Sequence, residues 1–104
     1  MNESIDKLKS LLKELMDTWR DSTSARVDFG DYEFYSRNEG ADEKYRWFMG
    51  FQWKDGTPII EAMGSDWKGV SVTLDDTCTL ELAEALIRDI DSARQCLNKL
   101  RPRV

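Results

Sequence analysis

Lys44-Tyr45-Arg46-Trp47-Phe48-Met49-Gly50-Phe51-Gln52-Trp53, followed at once by Lys54-Asp55-Gly56-Thr57, decides the fold of this chain. Tyr45, Trp47, Met49, Phe51 and Trp53 fall on one parity, and Arg46, Phe48, Gly50 and Gln52 on the other. A repeat of two is the repeat of a strand, whose successive side chains point to opposite faces of a sheet. Asp55-Gly56 tolerates the positive φ of a tight turn, so the chain reverses there and returns as a second strand from Pro58 to Met63.

Outward from this hairpin the same signals continue. Gly64-Ser65-Asp66 reads as a further turn, and Trp67 to Leu74 as the last strand, with Val70, Val72 and Leu74 on one face and Ser71 and Thr73 on the other. On the N-terminal side Arg37 to Glu43 is a polar loop. Before it, Val27 and Phe29 precede Gly30-Asp31, and Tyr32 and Phe34 resume on the other parity. That pattern fits either a tight hairpin or a bulge at the glycine.

Both ends of the chain switch to helical spacing. Ile5, Leu8, Leu12, Leu15 and Trp19 recur at intervals of three and four within Ser4 to Arg20, with Ser4 or Asn2 as cap. Asp75, Asp76 and Thr77 are the expected caps of a second helix. Its seam is Leu82, Ala83, Leu86, Ile90, Ala93, Leu97 and Leu100, and Pro102 ends it. The predicted fold class is therefore α+β: a two-layer sandwich, with an antiparallel meander of three to four strands flanked by an N-terminal and a C-terminal amphipathic helix. Residues 1–104 are expected to form a single α+β domain, since no composition shift, repeat or low-complexity segment divides them. Both helical seams also fit a heptad, so a homodimer is a second expectation.

A domain of this size buries roughly 65% of the surface of its unfolded chain and folds without metal or disulfide staples. Cys78 and Cys96 would stand about 27 Å apart on a continuous helix, beyond the reach of a disulfide, and are expected as free thiols of a reducing compartment. The polar opening Met-Asn-Glu-Ser-Ile-Asp-Lys lacks the apolar run of a secretory signal, and no segment is apolar enough to span a bilayer. The expectation is a cytoplasmic protein without membrane contact.

Histidine is absent, which removes the commonest general base and the commonest zinc ligand. No glycine cluster opens a helix as a phosphate loop would. No catalytic residue, cofactor or resident metal is expected. Asp28, Asp31 and Glu33 are close enough in sequence to share a divalent cation, and Asp66-Trp67-Lys68 with Asp55 and Glu61 has the acid and lysine content of a metal-dependent nuclease. A metal-dependent enzyme is accordingly the third reading.

The chain carries 20 acidic against 15 basic residues, a formal charge of −5, which opposes nonspecific duplex DNA binding. The leading reading is a noncatalytic protein-binding module, such as a small acidic inhibitor, immunity-type protein or adaptor. It would meet a basic partner through Asp28, Asp31, Glu33, Asp42 and Glu43. The alternative is a single-stranded nucleic-acid-binding domain. If both helices cover the face of Trp47, Met49, Phe51, Val70 and Val72, then Arg46, Phe48, Gln52, Lys54 and Trp67 interleave bases and rings on the open one.

Overall fold

The computed structural model describes residues 3–19, 25–39, 46–65, 69–76 and 78–100. Its elements are α1 (Glu3–Trp19), β1 (Ala25–Asp28), β2 (Tyr32–Glu39), β3 (Arg46–Trp53), β4 (Pro58–Ser65), β5 (Gly69–Leu74) and α2 (Leu80–Leu100). The five strands form one antiparallel sheet in the order β1-β2-β3-β4-β5, a plain meander. The α+β two-layer class holds, with five strands where the sequence reading allowed three to four.

The extra strand comes from the Gly30 segment, which is a hairpin and not a bulge. Phe29 N–H donates to the Tyr32 carbonyl at 3.0 Å, Gly30 takes φ +95°, and Val27 stands opposite Phe34. Asp28 Oδ1 accepts the Gly30 N–H at 2.8 Å, an Asx turn that favours this reversal. β2 then runs through Arg37 to Glu39, where the sequence pattern predicts a loop, because pairing with β3 continues to Glu39↔Arg46.

Two other boundaries differ. Gly64 and Ser65 extend β4 instead of forming a turn, since they pair with Trp47 and Arg46. The indole of Trp47 lies where a Gly64 Cβ would sit, with its Nε1 2.5 Å from that point, so glycine here serves close packing. The cap of α2 is Thr79, not Asp75 or Asp76, and Thr77 lies outside the described residues. Thr79 Oγ1 accepts the Leu82 N–H at 3.2 Å, and its carbonyl accepts Ala83 N–H. Asp75 is drawn into the sheet, where its N–H donates to the Ile59 carbonyl at 2.9 Å.

Both helices cover one face of the sheet. Leu8, Leu12, Leu15 and Met16 of α1 and Ala83, Leu86, Ile90, Ala93 and Leu97 of α2 are buried against Phe34, Trp47, Met49, Phe51, Ile60 and Ala62. α1 lies over β3, β4 and β5, while α2 reaches β1. Ser4 Oγ meets Glu84 Oε2 at 3.3 Å near the starts of the two helices, and Leu15 and Thr18 share a cleft with Arg94 and Asn98 near their ends. The helices therefore run in the same direction, as an odd number of alternating strands between them requires. Tyr32 Oη donates to Asp89 of α2, tying sheet to helix, and burial together with that carboxylate raises the phenol pKa. Cys78 is buried, its thiol pKa raised by desolvation, Cys96 is half-buried, and both are free. No helix among the described residues is long and apolar enough to cross a membrane.

Candidate functional site

The candidate site is the sheet face opposite the helices, onto which no described element packs. Alternation along the strands dictates its membership: Arg26 and Asp28 from β1, Glu33, Tyr35 and Arg37 from β2, Arg46, Phe48, Gly50 and Gln52 from β3, Glu61 and Met63 from β4, and Ser71 and Thr73 from β5.

The registers Tyr35↔Gly50↔Glu61 and Arg37↔Phe48↔Met63 build its centre. Tyr35 Oη donates to Glu61 Oε2 two strands away, so the tyrosine spans β3 at the one position that carries no side chain. The Arg37 guanidinium lies 4.4 Å from the Phe48 ring centroid and 5.7 Å from that of Tyr35, and its Nη2 stands 3.9 Å from Glu61 Oε2. A cation over an aromatic face is attracted by the ring quadrupole. Tyr35 and Phe48 are only 4% and 8% exposed, with the Arg37 guanidinium beside both rings. Burial first, then the Glu61 carboxylate, holds the Tyr35 phenol well above its ordinary pKa.

Toward the Gly30 turn the charges are also matched. Gln52 Nε2 donates to Glu33 Oε2 at 2.7 Å, with Arg26 Nη1 3.7 Å from the same oxygen. Lys54 Nζ meets Asp28 Oδ1 at 2.7 Å. Lys54 and the Gly30 N–H together lower the Asp28 pKa below its usual range. Asp31 is exposed at the tip of the turn, its carbonyl accepting the Lys54 N–H at 3.3 Å. Between Arg26 and Arg37 a depression of about 330 Å³ is lined by these two residues with Ala25, Tyr35, Ser36 and Gln52.

Of the acidic set read from sequence, Asp28, Asp31 and Glu33 gather at one end of this face, and Asp42 and Glu43 lie outside the described residues. Of the aromatic and basic set, Arg46, Phe48 and Gln52 share the open face, Lys54 borders it at the β3–β4 turn, and Trp67 lies outside the described residues. Asp28 and Glu33 face Lys54 and Gln52 respectively, and no three metal-ligating side chains stand together among the described residues. Sequence reasoning missed Tyr35 and Arg37, and named Glu61 only as a carboxylate of the metal reading. The signal was the alternation Glu33, Tyr35, Arg37, which becomes a site only when the register sets it beside Phe48.

No protein-family model, curated protein or solved structure matches this chain.

Proposed function

We propose that this chain is a noncatalytic protein-binding module, of the kind that serves as a small inhibitor, immunity-type protein or adaptor, and that it receives its partner on the open sheet face. The observation that carries the reading is the Tyr35–Glu61–Arg37–Phe48 arrangement. Arginine is among the residues most favoured at protein interfaces, and here exposed Arg37 is held by Phe48 and Glu61 before any partner arrives, which lowers the entropy lost on binding. Paired charges at the Asp28 and Glu33 end supply a polar rim that discriminates among partners more than it adds affinity.

A single-stranded nucleic-acid partner needs rings open to stacking bases. Phe48 lies under the Arg37 guanidinium and is 8% exposed, which favours the protein reading. The test is affinity capture from host lysate with nuclease present, comparing wild type with Arg46→Glu, Arg37→Glu and, as control on the helical layer, Lys13→Glu. A protein retained by wild type and Lys13→Glu but lost with the two arginine variants supports the assignment. Retention by all three variants, or recovery of nucleic acid in place of protein when nuclease is omitted, overturns it.

A further inference from the structure

The two edges of the sheet are guarded very differently. β1 is four residues long, and the residues whose backbone groups turn outward there are Arg26 and Asp28, both charged. Short length and charge are the usual protections of an exposed edge. β5, Gly69-Val70-Ser71-Val72-Thr73-Leu74, is the other edge. It has six residues, no charge, no proline and an unbroken register, and it is the one strand of the five without a charged residue.

The direction of its free backbone groups follows from the register. Asp75 N–H donates to Ile59 O, and Thr73 pairs with Glu61 and Ser71 with Met63. Odd-numbered residues of β5 therefore turn their N–H and C=O groups to β4, and residues 70, 72 and 74 turn theirs outward, where no described element receives them.

We infer that β5 pairs antiparallel with β5 of a second copy about a two-fold axis at Val72. This register sets 72 against 72 and 70 against 74 of the partner copy, so every outward group finds its complement and about six inter-strand hydrogen bonds form. Exposed Ser71 comes opposite Thr73 of the partner copy, a hydroxyl pair common across strands. Half-buried Val72 and Leu74 lose their remaining exposure on the helical side. A second copy fits this edge because the strand is self-complementary in that register and uncharged, so two chains of net charge −5 meet along a neutral line. The product is a continuous ten-stranded sheet that joins two copies of the Arg37 and Phe48 face. This dimer is separate from the protein-binding role of that face.

Sedimentation equilibrium of the full chain over a wide concentration range, with two double variants at exposed positions, tests the register. S71K/T73K places lysine against lysine at both cross-strand pairs, whereas S71K/T73E places lysine against glutamate. Circular dichroism confirms that each is folded. The expected result is twice the chain mass for wild type and S71K/T73E, and a single chain mass for S71K/T73K. A wild type that is monomeric throughout, or a dimer indifferent to both double variants, overturns the inference.

Discussion

Replacing Gly50 with alanine tests the register on which the candidate site depends. A Cβ at Gly50 would stand 2.2 Å from the Ile60 carbonyl oxygen, 2.9 Å from Glu61 Cα and 3.1 Å from Ile60 C. All three are backbone atoms, so no rotamer change relieves the overlap, and β4 must withdraw by about 1 Å to reach ordinary contact. Moving a strand that far breaks ladder hydrogen bonds, since an N–H···O pair stretched by about 1 Å leaves bonding range. Loss of two such bonds at about 1 kcal/mol each, with a further kcal/mol or so of overpacking strain, gives about 3 kcal/mol. With an unfolding entropy of about 2.1 cal/mol/K per residue, that lowers Tm by about 14 °C in a domain of this length. Gly56 is the comparison. It has φ +94° with nothing within 4 Å of where an added Cβ would lie, so Gly56→Ala incurs only backbone strain, about 1 kcal/mol. Thermal unfolding followed by both circular dichroism and tryptophan fluorescence measures the pair. A Gly50→Ala protein that melts within a few degrees of wild type, or above Gly56→Ala, would refute the close approach of β3 and β4 at the bulge beside Phe51 and Gln52.

Thr79→Ala removes the cap of α2 and should cost about 1 kcal/mol in urea unfolding, whereas Asp76→Ala should change stability little. Tyr35→Phe should cost about 1 kcal/mol by the same assay, because Glu61 loses its phenol donor. The raised pKa of Tyr35 makes its stabilising contribution complete below the unfolded value near 10 and lost as pH climbs above it. Alkaline unfolding of Tyr35→Phe should therefore show a shallower pH dependence than wild type. Asp28 has the opposite sign. Its depressed pKa means that its contribution is complete above the ordinary value of 3.8 and lost as pH falls through the lower folded value. A carboxyl NMR titration should find that folded value moved upward toward 3.8 in Lys54→Met.

Much of the architecture was legible because it rests on local periodicity. The parity of Trp47, Met49 and Phe51 and the helical seams Leu8, Leu12, Leu15 and Ala83, Leu86, Ile90 each announce a buried face on their own, and the structure buries all of them. The Asp55-Gly56 turn was legible for the same reason, since Gly56 supplies its own positive φ and Asp55 Oδ1 accepts the Thr57 N–H at 2.9 Å. The Gly30 segment was not, because hairpin and bulge begin with the same residues and differ only in whether Val27 finds Phe34 as a partner. The α2 cap was misplaced because Asp75, Asp76 and Thr79 can all cap a helix, and the bond from Leu82 N–H to Thr79 Oγ1 selects among them. For the site, Arg46, Phe48 and Gln52 were found through the parity of one strand, while Tyr35, Arg37 and Glu61 required three strands in register.

Sequence alone determined that this chain is α+β, with amphipathic helices at both ends of an antiparallel meander, because apolar spacing and turn chemistry act over a few residues. Tertiary structure alone decided that the described residues form five strands, and hence that the two helices run in the same direction. It also decided that Arg37 closes over Phe48 while Tyr35 reaches Glu61, and that uncharged β5 is left at the edge. Each of these depends on which distant residues stand opposite one another, and cross-strand register is set by the joint burial of the whole core.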